Sequence, residues 1–228
     1  MEKLGDLGGG GRVFLSKVGR VKAAIHRPLE GNVKTATVRR TAAGKWYVSF
    51  SCEVDLKPLP ESAGRVGVDV GLDSFATLSD GEKIENPRFF RKEEKALARA
   101  SRRFSEAERD TEERVKRRKV VARVHERIAN RRHDFAHKAS RRLVDRYSFL
   151  AVEDLSINRM NKSHCLAKSI MDAAWGEFTQ KLSYKAEWAG RTLVKVAPAY
   201  TSQDCSGCGR RRVASFREGD LAPGAKLH

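Results

Sequence analysis

The sequence predicts an α/β protein in which a mixed sheet is flanked by helices and preceded by a small β-rich segment. Three observations lead to this fold class. Residues 12–54 follow a strand-like pattern, residues 91–146 contain no Gly or Pro and follow a helical pattern, and short apolar runs at 65–78 and 147–152 predict further strands. The 228 residues suffice for one medium domain and a smaller piece.

The first 60 residues are predicted to contain a tail and a β-rich segment. Residues 1–11 include four consecutive glycines and no apolar period, which predicts a disordered tail. Residues 35–40 and 45–54 predict a hairpin, and Pro58 and Pro60 predict a linker that ends the segment 12–60. In its second strand, polar residues alternate with a row expected to face a core, namely Trp46, Val48, Phe50, Cys52 and Val54.

Residues 61–197 are predicted to form the main domain. Strands at 65–70, 74–78 and 82–85, with a turn at Asp80 and Gly81, predict an antiparallel meander. The apolar spacing within 91–146 predicts long helices, and a buried strand and a later strand are predicted at 147–152 and 192–196. One helix ending at Gly190 is predicted from an i, i+4 core stripe formed by Leu166, Ile170, Ala174, Phe178, Leu182 and Ala186.

The charge of the chain indicates a polyanionic partner. It has 46 Lys and Arg against 29 Asp and Glu, a formal net charge of +17. Residues 91–146 alone hold 20 basic and 10 acidic residues. These acids could pair with the basic residues at i, i+4 and leave an ordinary solvated face, but the basic surplus favours nucleic acid. Without an apolar run of membrane length or a signal-peptide pattern, we expect no membrane partner and a cytoplasmic location.

Two acidic residues occupy comparable positions in predicted strands. Asp69 lies within the apolar run 66–71, where an ionised carboxylate is costly unless a cation or hydrogen bonds compensate it. Glu153 ends the strand FLAVE. Each acid alone could equally have a structural role as a turn or hydrogen-bonding residue. On adjacent strands, however, both could bind divalent ions about 4 Å apart, an arrangement that supports phosphodiester cleavage.

Five ordered motifs resemble the TnpB/OrfB family of transposon-encoded proteins. They are GVDVGL at 67–72, RIANRRHDFAHKASRRLV at 127–144, AVEDLSINRM at 151–160, LAKSIMDAAWGEF at 166–178 and AYTSQDCSGCG at 199–209. The resemblance implies an RNase H-like (RuvC-type) nuclease domain at 61–197 and an RNA-guided DNA endonuclease activity. It also implies that Asp69 and Glu153 are catalytic acids that bind Mg²⁺ or Mn²⁺, and that residues 12–60 are a remnant of a wedge domain.

Guide RNA and DNA are the partners that the resemblance implies. The second of the five motifs supplies a basic cluster suited to sequence-independent phosphate contact. We expect nucleic-acid binding by Arg131, Arg132, Lys138, Arg141 and Arg142.

The C-terminal residues 198–228 depart from the family pattern. Cys205 and Cys208 match the first half of a zinc ribbon, but a second CxxC and a DRD-type motif with a third catalytic Asp do not follow. Tetrahedral Zn²⁺ requires four ligands, so we expect an incomplete, weak or empty zinc site and an aberrant tail. On this interpretation the chain is a truncated family protein whose cleavage is impaired.

Two other functions are compatible with parts of the sequence. A non-catalytic RNA- or DNA-binding module would use the same basic surface and retain the acids as relics. A sugar-kinase or actin-like ATPase would explain the Asp-x-Gly at Asp69, but no second such loop follows and ATP alone poorly explains the charge. His133 and His137 could hold a metal ion, but without a convergent third ligand they are predicted to be polar-face residues. Trp175 and Trp188 could stack on bases, but packing is the commoner role of Trp and is expected here.

Overall fold

The structure, a computed structural model, describes residues 11–25, 28–155 and 167–197. The predicted tail 1–11 therefore lies outside the described residues except for Gly11, and the predicted zinc-ribbon segment 198–228 lies outside them entirely. The described strands are β1 Gly11–Leu15, β2 Gly19–Ala23, β3 Asn32–Arg40, β4 Trp46–Glu53, β5 Arg65–Val70, β6 Ser74–Leu78, β7 Lys83–Glu85, β8 Phe149–Glu153 and β9 Thr192–Val196. The described helices are α1 Phe89–Ser105, α2 Glu112–Arg146, α3 Ala167–Ala173 and α4 Trp175–Trp188.

A five-stranded mixed sheet in the order β7-β6-β5-β8-β9 organises residues 65–196. Its first three strands form the predicted antiparallel meander, in which Gly81, with φ +90°, supplies the left-handed turn between β6 and β7. The chain then crosses through α1 and α2, so that β8 returns parallel to β5 and β9 lies parallel to β8. The mixed sheet with helices confirms the predicted α/β class.

The core lies between this sheet and the helices α2 and α4. Phe75 of β6 is 1% exposed and makes edge-to-face contacts with Phe135 of α2 and Phe178 of α4, at centroid distances of 4.8 and 5.1 Å. Leu143 and Leu182 complete the contact between the helices and the sheet. The helical periodicity predicted for 91–146 is therefore confirmed, because the apolar face of α2 is the buried face.

The predicted single helix up to Gly190 is divided into two helices. Ala174 adopts a left-handed conformation with φ 54° and ψ 41°, which ends α3 and begins α4. This prediction was wrong because a short non-glycine residue gives no sequence signal for such a break. The stripe is nonetheless core, since Ile170, Phe178 and Leu182 are buried. Trp175 packs as expected, whereas Trp188 is 51% exposed.

The segment before the main sheet consists of two separate hairpins, β1-β2 and β3-β4. In β4, Val48, Phe50 and Cys52 alternate as half-buried residues with exposed neighbours, as predicted. Trp46 is 67% exposed and Val54 is 41% exposed, so their assignment to a core face was wrong. A two-stranded hairpin has too little covering structure to bury residues at its ends.

Candidate carboxylate site and nucleic-acid surface

Asp69 and Glu153 occupy matching positions on two adjacent parallel strands. Val68 of β5 pairs with Val152 of β8, and the two acids are the next residues along each strand. Neighbouring strands are about 4.8 Å apart, and residues in register on parallel strands project from the same face of a sheet. The register therefore places the two acidic residues side by side at the carboxyl ends of β5 and β8.

The two carboxylates differ in exposure. Val66 and Val68 of β5 face the core, so the alternation of the strand turns Asp69 to the opposite face, where it is exposed. Glu153 is half-buried. The expectation that Asp69 requires compensation within an apolar strand was wrong, because the carboxylate is on the solvent side of the sheet. An exposed carboxylate retains its hydration without a bound cation.

The pair suits a hard divalent cation. Mg²⁺ and Mn²⁺ prefer carboxylate oxygens and keep several water ligands. Within residues 11–25, 28–155 and 167–197, no group of three or more His, Cys, Asp or Glu could hold one ion. Asp69 and Glu153 can therefore supply two ligands and leave the other coordination positions to water or phosphate oxygens. Cys205 and Cys208, the predicted zinc ligands, lie outside the described residues.

The five basic residues predicted to bind nucleic acid all lie on α2, and each pairs with an acidic residue of the protein. The pairs are Arg131 with Glu93 at 2.9 Å, Arg132 with Asp172 at 2.9 Å, Lys138 with Asp134 at 2.7 Å, Arg141 with Asp145 at 2.8 Å, and Arg142 with Glu82. Two of these are the i, i+4 pairs that the sequence left open as an alternative. Their contact with nucleic acid stays a prediction, and any such contact must compete with these pairs.

A second basic surface, which sequence reasoning missed, lies between the β3-β4 hairpin and α2. Here Arg39, Arg40 and Arg118 line a groove of about 810 Å³ together with Tyr47. The Arg40 guanidinium lies 5.7 Å from the ring centroid of the exposed Trp46. None of the three arginines has an ion-pair partner in the described part of the chain. The sequence signal was the adjacent Arg39 and Arg40 followed by two aromatic residues across a short turn.

One ion pair attaches the hairpin to α2 beside this groove. Lys45 Nζ lies 2.7 Å from Glu126 Oε2, and the Glu126 side chain is only 15% exposed. The hydrogen bond and the attraction between them raise the pKa of Lys45 and lower the pKa of Glu126. The contact fixes the position of the groove relative to the long helix that leads into β8.

Residues 49–164 match a family model, OrfB_IS605, described as "Probable transposase", and residues 175–221 match one described as "Cas12f1-like, TNB domain". The chain is 43% identical over 189 residues to "Putative RNA-guided DNA endonuclease" of Streptomyces pristinaespiralis, covering 82% of this chain and 47% of the relative. It is 36% identical over 214 residues to "Putative RNA-guided DNA endonuclease InsQ" of Escherichia coli (strain K12), covering 87% and 53%.

Among solved structures, the chain resembles one titled "Cryo-EM structure of the Cas12f1-sgRNA-target DNA complex". The TM-score is 0.47 at 20% identity, over 76% of this chain and 45% of that chain. The chain spans about half the length of the curated relatives it matches. Among the described helices, none has the length and apolar character needed to cross a membrane. The match over residues 49–164 confirms the resemblance seen in the motifs: the chain belongs to the TnpB/OrfB family of transposon-encoded proteins.

Proposed function

We propose that this chain carries the nuclease part of an RNA-guided DNA endonuclease and that Asp69 and Glu153 hold its divalent cation, Mg²⁺ or Mn²⁺. The observation that carries the proposal is the register of β5 and β8, which aligns the two acids at adjacent carboxyl ends of parallel strands. The family membership and the names of the relatives support the same activity. On this proposal the sheet and its helices are of the RNase H-like (RuvC) type.

The chemistry follows from the ligands that the two carboxylates provide. A divalent cation held by Asp69 and Glu153 would lower the pKa of a bound water molecule and would stabilise the leaving oxygen of a phosphodiester. The two residues would hold such an ion at the carboxyl ends of the inner strands β5 and β8. Because Asp69 is exposed, a nucleic-acid backbone can approach its carboxylate from solvent.

Guide RNA and target DNA are the proposed partners. The arginines of the groove between the hairpin and α2 are available for phosphate contacts, which depend on charge and not on sequence. The exposed Trp46 and Tyr47 add aromatic surfaces on which single-stranded bases can stack. The net charge of +17 favours this binding at low salt.

A binding module without cleavage is the alternative function. The groove favours it, because Arg39, Arg40 and Arg118 lie on the hairpin and the first half of α2, away from the carboxylates at the sheet. Binding through this groove requires neither Asp69 nor Glu153. The two functions therefore differ in the response to loss of an acid and not in affinity for nucleic acid.

Cleavage and Mn²⁺ binding by wild type and by single variants test the proposal. The protein is purified with the RNA that it retains and incubated with labelled single- and double-stranded DNA and Mg²⁺ or Mn²⁺. We expect D69A and E153Q to lose cleavage and to weaken Mn²⁺ binding in an electron paramagnetic resonance titration, with RNA affinity unchanged. D73A removes an exposed acid from the turn after β5 and is the matched control.

Two results decide between the functions. Cleavage that persists at the wild-type rate in both D69A and E153Q contradicts the assignment of the carboxylates. Tight RNA binding by the wild type, combined with no cleavage and no Mn²⁺ binding that depends on Asp69, supports the binding module instead.

A further inference from the structure

Two histidines one turn apart on α2 face each other at the junction with α4. The Nε2 atoms of His133 and His137 are 3.1 Å apart, and their rings meet edge to face at a centroid distance of 4.5 Å. The His133 side chain is 59% exposed. Residues at i and i+4 are neighbours on a helix surface, but the convergence of two ring nitrogens is a specific rotamer arrangement.

A carboxylate on α4 fixes the orientation of one ring. Glu177 Oε1 lies 2.6 Å from His133 Nδ1, and Lys181 Nζ donates to the same oxygen at 2.8 Å. Glu177 thus forms an ion pair with the Lys181 ammonium group through the same oxygen that contacts His133. An ionised carboxylate only accepts hydrogen bonds, so Nδ1 of His133 carries the proton and Nε2 presents its lone pair to His137.

We propose that His133 and His137 form a two-histidine site for a divalent transition-metal ion such as Zn²⁺, Ni²⁺ or Cu²⁺, and that Glu177 is its positioning residue. Imidazole nitrogen is a preferred ligand of these ions. A carboxylate that accepts from the other nitrogen of a ligating histidine is the arrangement that fixes its ring and raises its basicity.

The nitrogen spacing suits coordination of one ion. Metal–nitrogen bonds of about 2.1 Å to atoms 3.1 Å apart enclose an angle of about 95°, between octahedral and tetrahedral values. Without metal, His137 Nε2–H donates to His133 Nε2. When an ion binds, that proton moves to Nδ1 of His137, so both rings stay neutral and each gives one lone pair. Water or an external donor fills the remaining positions.

The surrounding charges limit the affinity without blocking the site. Lys181 is neutralised by Glu177, and Lys185 Nζ is held by the His137 carbonyl at 2.7 Å and by Ser140 Oγ at 2.9 Å. Both ammonium groups are therefore directed to protein acceptors. The site lies on the faces of α2 and α4, distinct from the carboxylates at the ends of β5 and β8, and it uses nitrogen ligands that Mg²⁺ does not prefer.

Titration of the full, untagged chain with Ni²⁺ and Cu²⁺ tests the site. A C52S/C165S/C205S/C208S background removes the four thiols as competing ligands, and H125Q, which removes an exposed histidine from the same helix, is the matched control. We expect the protein to bind one equivalent of either ion, and the bound ion to raise the melting temperature of the protein. The electron paramagnetic resonance spectrum of bound Cu²⁺ should show hyperfine coupling to nitrogen. H133Q and H137Q should each weaken Ni²⁺ binding more than tenfold, and E177Q by about tenfold.

Either of two results would contradict the two-histidine site. Ni²⁺ binding that is absent from the wild type, or unchanged in both H133Q and H137Q, overturns the site and leaves the histidine pair as a hydrogen bond only. Circular dichroism of each metal-free variant verifies folding, and H133N and H137N replace any glutamine variant that unfolds.

Discussion

Replacing Asp172 with alanine is expected to lower the free energy of unfolding by about 3 kcal/mol. The Asp172 side chain is 5% exposed and accepts hydrogen bonds from the backbone N–H groups of Phe90 and Arg91, at 2.8 and 3.3 Å. It also accepts from Arg132 at 2.9 and 3.2 Å. Because Arg88 at the start of α1 makes no side-chain cap, the cap of this helix comes from α3.

The magnitude follows from the groups that the substitution leaves unpaired. A buried N–H without an acceptor costs about 1–3 kcal/mol. Removing one partner of a buried ion pair costs about 3–5 kcal/mol. The second value is an upper limit here, since the Arg132 side chain is 22% exposed and regains some hydration. The two costs also overlap, because one carboxylate makes all four contacts, and about 3 kcal/mol results.

Urea denaturation of D172A, D172N and wild type measures this value. D172N keeps one acceptor oxygen and is expected to lie between the other two. D134A is the matched control, because Asp134 is 61% exposed in its pair with Lys138, and its loss should change stability by no more than about 0.5 kcal/mol. If D172A unfolds within about 1 kcal/mol of wild type, Asp172 is not the tertiary cap described here.

Three further predictions concern other parts of the chain. Burial and the hydrogen bond to Asp80 raise the pKa of Tyr147, so the folded state loses stability as pH rises through this pKa, above 10. Y147F should therefore reduce the fall of the melting temperature with pH in alkaline solution. The same fall in Y147F and in wild type contradicts this. G31A should lower the protection of the β3 and β4 amides from hydrogen exchange, because the added Cβ would clash with the Glu53 carbonyl oxygen. G19A, whose Cβ would meet no atom within 4 Å, is the control, and equal protection of these amides in both variants contradicts the prediction. R118A should reduce the slope of log affinity for RNA against log salt by about one, and K138A, which removes an ion-paired lysine, should reduce it less. Equal effects of R118A and K138A contradict RNA binding by the groove.

The local sequence pattern was sufficient to predict the elements of the main sheet. The meander β5-β6-β7, the apolar strand β8 and the helical face of α2 each have a period or turn signal within a few residues. The same pattern placed Asp69 and Glu153 at strand positions that the sheet then aligned. The parallel pairing of β5 with β8, in which partner residues lie 84 positions apart, has no local signal in the sequence.

The remaining features depend on contacts between distant segments. Ala174, which is neither Gly nor Pro, breaks the predicted helix next to the contacts that Asp172 makes with α1 and α2. Arg131 pairs with Glu93 and Arg142 with Glu82, separations that no i, i+4 rule detects. The groove beside the hairpin likewise lies between segments that are distant in sequence, as the contact of Lys45 with Glu126, 81 residues away, illustrates.

The uninterrupted helix α2 determines how this architecture can change during evolution. Its 35 residues span about 52 Å, with the hairpin contacting it at Glu126 and the buried residues that it contributes to the core of the sheet beginning at Ala136. Deleting a single residue between those points would turn the hairpin by roughly 100° about the helix axis and shift it by about 1.5 Å. Length variation among descendants of this chain should therefore accumulate in its connecting loops, while this ten-residue interval keeps a constant length.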